Sequence, residues 1–365
     1  MQTTYLKKAK PVLEADVKAL RQGVEAIIDA VRKDGDRALA HYAKTFDDFE
    51  GPLQVGEAEF EAAKKELPAE IIEGLDFAIE RVTAFAESQR AQITEFEQEM
   101  IPGVFMGHRL VPVDSCAAYV PAGRYPCLTS AVMSLVPAKV AGVKRLVACS
   151  SPGKEKRINP AILYTMVKIG ADEIYCLGGA QAIAAMAYGT ETIDPVDLIV
   201  GPGNQYVMEA KRQVFGTVGI DFLAGPSEVM VIADETARAD YVAADLLAQC
   251  EHDPQARGAL VTTSEELGHQ VVAEIERQLK DLTTEAVARQ SWEDKVAGTN
   301  HILPTGRGAR YTGGLWVGHF LKVITHQWVD ERGVEVLAPY SVRQGEFETM
   351  DAHRRAALIR LTDKL

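Results

Sequence analysis

Apolar residues follow two different spacings along this chain. From Asp16 to about Gln92 they recur at helix spacing, as in VKALRQGVEAIIDAVRKDGDRALAHYAKTF, with a break near FEGPLQVGE. From Val111 onward, helical stretches alternate with short Val- and Ile-rich runs, namely CAAYVPA, RLVACSS, EIYCLGG, DLIVGPGN, GIDFLAG, EVMVIAD and GALVTTS. Strands that alternate with helices predict parallel sheets built from βαβ units.

The number of these runs predicts the domain organisation. Seven runs are more than one compact sheet usually needs, so we divide them at GPSEV into two α/β domains. The sequence therefore predicts an α/β fold with two parallel-sheet domains, an N-terminal helical arm and a C-terminal helical tail. The predicted boundaries place the arm at residues 1–110, the first domain at 111–225, the second at 226–320 and the tail at 321–365.

Composition narrows the class of protein. The 365 residues carry a net charge of −13, which argues against nucleic acid or an anionic membrane as the main partner. Neither a signal peptide nor a membrane span is evident, so we expect a soluble cytoplasmic protein. The five cysteines are scattered without CxxC spacing, which favours small buried thiols over a disulfide framework.

Two glycine-containing turns follow predicted strands. LIVGPGNQYV places Gly201, Gly203 and Asn204 between a strand and a helix, where backbone N–H groups could receive a phosphate. YCLGGAQAIAAM does the same with Gly178, Gly179 and Gln181. Neither turn has the GxGxxG pattern of a standard dinucleotide fold, and glycines at such positions are commonly just turn residues. Nucleotide binding is therefore one of two interpretations.

The stretch LLAQCEHDP suggests a possible metal site. If it is helical, Gln249 and His252 share one face with Asp245, while Ala243, Leu246, Leu247 and Cys250 point away from that face. Such a stripe is either a solvated face or half of a metal site. Asp294 and His353 are further candidates in the C-terminal part, and each is equally ambiguous by itself. His301, between a glycine turn and a proline, could be a buried histidine satisfied by backbone groups.

These separate signals occur together in an order that resembles one family. DSCAAYVPAGRYP, LGGAQAIAAMAYGT, DLIVGPGNQYV, FLAGPSEVMVIAD, LLAQCEHDP, DKVAGTNHILPT and the closing histidine resemble the histidinol dehydrogenase family. The resemblance implies two Rossmann-like domains that carry the site, with NAD and Zn²⁺ as cofactors. It also implies a homodimer in which the C-terminal tail crosses to complete the partner's active site.

The resemblance also implies roles for individual positions. The zinc ligands would be Gln249, His252, Asp294 and His353, and the NAD-contacting residues would be Tyr119, Gln181 and Asn204. Ser227, His301 and Glu348 match positions that line the substrate pocket, which the four zinc ligands also border. In the implied reaction, zinc lowers the pKa of a substrate hydroxyl and a hydride passes to NAD. A primary alcohol becomes an aldehyde and then a carboxylate, with two NAD reduced.

One block of the family pattern is missing from this sequence. The family's catalytic base belongs to a Glu-His pair that should lie between GALVTTS and DKVAGTNHILP, yet no Glu-His follows Asp253. The second domain thus lacks a segment between Glu293 and Asp294, and the catalytic base cannot be named. A natural loss would leave an open sheet edge and an enzyme without its base, so we expect the intact protein to contain a further segment here.

The substrate class depends on a few positions near the predicted site. ARYTGGLWVGHFLK, TTYLKKAK and Arg124-Tyr125 resemble the branch that oxidises 2,3-dihydroxypropane-1-sulfonate, the sulfopropanediol 3-dehydrogenases. An arginine at position 124 suits an anionic substrate. Glu348 instead matches the position that meets the cationic end of histidinol, so L-histidinol is the alternative alcohol. A non-catalytic zinc-binding paralogue is the third hypothesis, if the Glu-His block is truly absent.

Overall fold

The structure is a computed structural model. It describes residues 14–122, 126–223, 228–250, 257–282, 284, 302–305 and 308–362. Contacts divide the chain into two compact units. Unit 1 comprises Met1–Arg90 and Val113–Phe320, and unit 2 comprises Ala91–Pro112 and Leu321–Leu365.

Helices account for much of the described chain. They are α1 (Glu14–Asp47), α2 (Glu57–Glu66), α3 (Ala69–Ala91), α4 (Leu128–Ala141), α5 (Pro160–Ile169), α6 (Gly179–Tyr188), α7 (Gln205–Val214), α8 (Ala239–Cys250), α9 (Glu265–Leu279), α10 (Glu331–Phe347) and α11 (Asp351–Thr362). Helix α1 is interrupted at Gly35, whose φ of 52° lies in the region that favours glycine. No helix among the described residues is long and apolar enough to cross a membrane.

The strands form three sheets in the described residues. They are β1 (Phe96–Ile101), β2 (Val104–Pro112), β3 (Ser115–Val120), β4 (Arg145–Ser150), β5 (Glu173–Cys176), β6 (Leu198–Val200), β7 (Gly219–Ile220), β8 (Glu228–Ala233), β9 (Arg257–Thr262) and β10 (Leu321–Val329). Their orders are β1-β2-β10, β5-β4-β3-β6-β7 and β8-β9. The predicted α/β fold with parallel sheets is confirmed.

The five-stranded sheet forms the centre of unit 1. Its strands pair in parallel, and all six residues of the central strand β3 are buried. Burial on both faces explains why these strands appear in the sequence as continuous apolar runs and not as an alternating pattern. Val24, Ile28 and Leu39 of α1 belong to the same core cluster as Ile183 and Met186 of α6, so the N-terminal helix packs on this sheet domain.

The two-stranded sheet has one covered and one open face. On the covered face, α8 and α9 contribute Leu246, Leu247 and Val271 to a core cluster that includes the inward side chains of β8 and β9. On the opposite face, Met230, Ile232 and Val261 are 62%, 79% and 50% exposed. A contiguous apolar surface of this kind normally lies against another element.

Unit 2 combines two segments that are remote in the sequence. Strand β2 pairs antiparallel with β1 on one side and with β10 on the other, in a register that joins Val104 to Val329. Helices α10 and α11 follow, and the Asp330 side chain caps α10 by accepting from Gly333 N at 3.1 Å. The predicted helical arm, residues 1–110, includes β1 and most of β2. The Pro-Gly turn at Pro102 and Gly103, where φ is 79°, makes a hairpin there instead.

The cysteines behave as the sequence predicts. All five are free, and Cys116, Cys149, Cys176 and Cys250 are buried. Burial raises the pKa of the Cys149 and Cys176 thiols to about 12, so both stay protonated and unreactive at neutral pH. The four buried cysteines act as small core residues.

Candidate functional site

The loops at the carboxyl edge of the five-stranded sheet form the candidate cofactor site. Parallel strands end at a common edge, and ligands of such sheets bind beyond that edge where neighbouring strands diverge. Tyr119 lies near the end of β3, Gly179 follows β5, and Gly201 follows β6. Tyr119 contacts both of the other two positions.

Tyr119 connects β3 to the turn before α6. Its side chain is buried, and its hydroxyl oxygen accepts a hydrogen bond from Gly179 N at 3.1 Å. Burial strongly raises the pKa of the Tyr119 phenol. The hydroxyl therefore stays neutral and keeps a proton that it can donate to a ligand.

Gln181 is a buried amide on the first turn of α6. Its side chain is 1% exposed, and neither Nε2 nor Oε1 has a hydrogen-bond partner among the described residues. Only a glycine at position 179, where φ is 71°, permits this arrangement. A Cβ at that position would lie 2.5 Å from Gln181 Oε1. An unpaired buried amide costs about 1–3 kcal/mol, and a ligand that reaches it recovers part of that cost.

Asn204 begins α7 beside the glycine turn. Its Oδ1 accepts from Tyr206 N at 3.0 Å and from Val207 N at 3.1 Å, which makes it an N-cap. Gly201 precedes it with a φ of 112°, and a Cβ there would lie 2.2 Å from the Tyr119 carbonyl oxygen. Only glycine permits this close approach of the β6 turn to β3.

The three predicted NAD-contacting residues thus share one edge of the sheet. The unpaired amide of Gln181 and the neutral Tyr119 hydroxyl lie beside the glycine turn at the start of α7, and these polar groups fit a ligand with polar ring atoms. The residues present therefore fit NAD. The individual roles of Tyr119, Gln181 and Asn204 stay predictions.

The predicted zinc ligands fall mostly outside the described residues. His252 and Asp294 lie outside them, as does the side chain of Gln249, whose backbone is near the end of α8. The apolar face predicted for this helix is confirmed, because Ala243, Leu246, Leu247 and Cys250 are all buried. In the described ranges no three His, Cys, Asp or Glu residues cluster in a way that could hold a metal. The ligand set stays a prediction.

His353 and Glu348 are described, and both belong to unit 2. They line one cavity of about 470 Å³ against α10 and α11, together with Ser341 and Arg360. Glu348 ends α10 and accepts from Gln344 Nε2 at 2.8 Å, and His353 lies in the first turn of α11. The structure therefore brings together a predicted zinc ligand and a predicted substrate contact. Arg124, Ser227 and His301 lie outside the described residues.

One feature of the cofactor edge was not predicted from the sequence. Lys211 and Asp221 form a buried ion pair behind Gly201, with side chains 1% and 0% exposed. A signal was present, because Lys211 lies on the same face of α7 as Val207 and Val214, both buried. A lysine at an apolar-face position indicates a buried partner for its charge.

Comparison with known proteins identifies the family. The family model described as histidinol dehydrogenase matches in two segments, residues 11–296 and 290–361. A histidinol dehydrogenase homolog from Shouchella clausii (strain KSM-K16) is 40% identical over 419 aligned positions, covering 98% of this chain and 98% of that protein. A sulfopropanediol 3-dehydrogenase from Ruegeria pomeroyi (strain ATCC 700808 / DSM 15171 / DSS-3) is 35% identical, covering 99% and 97%.

A solved structure agrees with the sequence matches. The crystal structure of histidinol dehydrogenase from Elizabethkingia anophelis superposes with a TM-score of 0.87 at 32% identity, covering 98% of this chain and 94% of that chain. The chain therefore belongs to the histidinol dehydrogenase family, whose members are NAD-dependent oxidoreductases that convert an alcohol to an acid in a four-electron oxidation.

Proposed function

We propose that this protein is a zinc-dependent NAD⁺ oxidoreductase that converts 2,3-dihydroxypropane-1-sulfonate through the aldehyde to 3-sulfolactate. NAD binding is supported by one observation. Tyr119, Gln181 and the turn from Gly201 to Asn204 lie at the same edge of the sheet. The order β5-β4-β3-β6-β7 supports a Rossmann-like first domain, because it matches five of the six strands of a doubly wound sheet, including the point where the strand order reverses. The parallel pair β8-β9 with α8 and α9 supports a second, smaller one.

The domain boundaries belong to the same proposal. We place them after residues 110, 225 and 320, as the sequence predicts. The division of the chain by contacts also separates Phe320 from Leu321. It groups residues 91–112 with the C-terminal segment, so β1 and β2 associate with the tail through β10.

The zinc site would be held by nitrogen and oxygen donors only. Gln249, His252, Asp294 and His353 form a set of four without cysteine, so a substrate hydroxyl could join them only if the zinc expanded to five ligands. When bound, zinc would lower the pKa of the substrate hydroxyl. Among the chain's own groups, Glu348 lies beside His353 in the unit 2 cavity and would orient the substrate there.

The substrate proposal depends on charge. Arg124 would pair with the sulfonate through its forked N–H donors, and the Ruegeria pomeroyi relative carries the name of this activity at 35% identity. L-Histidinol is the second candidate, since Glu348 is an acidic side chain that could meet a cationic substrate. Several relatives, such as the one from Rhizobium meliloti (strain 1021) at 38% identity, carry that name.

The segment missing between Glu293 and Asp294 affects the choice between an enzyme and a non-catalytic paralogue. The match to the family model supports a missing segment at this place, because the match breaks into two parts that meet at residues 290–296. The alignment with the Shouchella clausii relative has 419 positions against 365 residues here, so that relative has stretches without a counterpart. An intact mass above 39.8 kDa would show that the protein contains more than the printed sequence.

One assay tests the proposal. Purified protein with zinc is incubated with NAD⁺ and either the sulfonate diol or L-histidinol, and NADH formation is followed by absorbance. We expect NADH with the sulfonate diol, at two NADH for each carboxylate formed. Turnover of histidinol alone would establish the second candidate. If neither alcohol is oxidised but zinc and NAD⁺ still bind, the non-catalytic paralogue is correct.

A further inference from the structure

A buried ion pair lies directly behind the cofactor edge. Lys211 on α7 and Asp221 after β7 are in direct contact, and neither side chain reaches solvent. Lys211 Nζ also donates to the Gly201 carbonyl oxygen at 2.9 Å. Asp221 Oδ2 accepts from Gly201 N at 2.9 Å, and Asp221 Oδ1 accepts from Phe222 N at 2.7 Å. The pair therefore binds both backbone polar groups of Gly201.

These two bonds fix an unusual backbone conformation. Gly201 directly follows β6 and has a φ of 112°. At this position it lies against the carbonyl oxygen of Tyr119 on β3. Bonds to both its N–H and its C=O fix the peptide planes on either side of its Cα. The direction in which the chain leaves β6, and hence the position of Gly203 and Asn204 at the start of α7, depends on those planes.

Stability alone does not explain this pair. Desolvation of two charges offsets most of their attraction, and apolar residues of similar volume often serve equally well at such positions. What apolar residues cannot supply is a donor for the Gly201 carbonyl and an acceptor for its N–H. The Gly201 N–H is already occupied by Asp221, so the pair acts on the turn and not on a ligand.

We propose that Lys211 and Asp221 are positioning residues that hold the turn from Gly201 to Asn204 in the conformation that receives NAD. This inference rests on the proposed function, because it assumes that this turn contacts the cofactor. No charge of the pair touches the cofactor. The effect is exerted through the backbone of Gly201 alone.

The test separates positioning from stability. In the double variant Lys211→Met with Asp221→Leu, both charges are removed, so no unpaired buried charge destabilises the fold. The single variants Lys211→Met and Asp221→Asn each leave one charge behind. The control is Arg145→Met with Glu173→Gln, because Arg145 Nε and Glu173 Oε1 form a 2.6 Å pair between β4 and β5, away from the turn. The dissociation constant for NAD⁺ is measured by calorimetry, thermal unfolding is recorded, and hydrogen exchange is followed for residues 198–207.

We expect the double variant to stay folded but to unfold at a lower temperature than the wild type, because the Gly201 N–H and C=O lose their partners, and to bind NAD⁺ at least about tenfold more weakly, which corresponds to about 1.4 kcal/mol. Exchange across residues 198–207 should be faster in it. The control variant should bind NAD⁺ like the wild type. Wild-type affinity and unchanged exchange in the double variant would overturn the inference.

The two readouts also keep this inference apart from the proposed function. A wild-type protein that does not bind NAD⁺ would refute the cofactor assignment. Faster exchange at the turn in the double variant would still show that the pair holds Gly201. Unchanged exchange would refute that role, whatever the affinity for NAD⁺.

Discussion

Tyr119 and Gln181 show how single side chains prepare the cofactor edge. The Tyr119 hydroxyl holds Gly179 N, and this bond fixes the turn from which α6 begins. Gln181 follows two residues later with an amide that has no partner among the described residues. Buried polar groups are normally paired, so such an exception is expected where a ligand supplies the missing bonds.

The Tyr119 hydroxyl can be tested by its removal. In Tyr119→Phe, Gly179 N loses its acceptor, and we expect the free energy of unfolding to fall by about 1–3 kcal/mol. NAD⁺ affinity should fall too, because the turn before Gln181 is no longer held. Tyr175→Phe is the matched control, since its buried hydroxyl donates to Glu173 Oε2 at 2.8 Å on the same sheet. Urea denaturation and calorimetry measure the two effects, and equal NAD⁺ affinity in both variants would contradict the role given to Tyr119.

The proposed substrate depends most directly on Arg124. If Arg124 binds the sulfonate, Arg124→Ala should lower kcat/KM for the sulfonate diol tens- to several-hundred-fold. This factor corresponds to a loss of about 2–4 kcal/mol in transition-state stabilisation. Lysine should restore only part of this, because it lacks the planar fork. The control is an uncharged 1,2-diol, whose kcat/KM should change little. An equal loss with both substrates would indicate structural damage, and no loss with either would remove Arg124 from the site.

At the scale of elements, the sheet β8-β9 differs on its two faces. Helices α8 and α9 cover one face, and their apolar positions are those that helix spacing predicts. Met230, Ile232 and Val261 on the other face are exposed, although their side chains are as apolar as those of the core. The segment that we expect between Glu293 and Asp294 would explain why no element covers this face among the described residues.

Substitutions on the two faces measure whether the open face is covered in the protein. Ile232→Thr keeps a β-branched side chain, and if Ile232 keeps its 79% exposure the substitution should change the free energy of unfolding by less than about 0.5 kcal/mol. Because we favour a further segment in the intact protein, we expect a larger cost than this. Leu247→Ala, on the covered face, should cost about 2–5 kcal/mol. Urea denaturation provides both values. A cost for Ile232→Thr as large as that of Leu247→Ala would show that a further segment packs on this face.

At the scale of the whole molecule, the predicted site residues are divided between two units. The cofactor edge belongs to unit 1, and His353 with Glu348 belongs to unit 2. Unit 2 also exposes large apolar side chains, with Val323, Tyr340 and Phe347 at 62%, 65% and 91%. Exposed apolar residues in this number favour association with another subunit.

A mixing experiment tests the proposed homodimer with shared sites. His252→Ala and His353→Ala chains should each lose zinc and be inactive alone, because each lacks a ligand. After subunit exchange, a heterodimer can assemble one intact site, so part of the zinc content and of the NADH formation should return. Mixed chains from a single variant are the control. No recovery after exchange is confirmed would indicate that each site is built within one chain.

Local spacing made much of this molecule predictable from the sequence. The helical arm, the parallel strands, the apolar face of α8 and the glycine turns at the strand ends all depend on residues close together in the chain. The family resemblance, which the comparisons confirm, came from short motifs of the same kind. It also marked the candidate site residues.

Only the tertiary structure revealed the features that depend on distant residues. The pairing of Val104 with Val329 joins strands that no local pattern relates, and the same structure shows that Lys211 and Asp221 meet behind Gly201. The exposure of Ile232 likewise depends on what packs above β8 and not on the sequence of β8. Spacing along a chain determines which face of an element is apolar, whereas contacts between remote segments decide what that face meets.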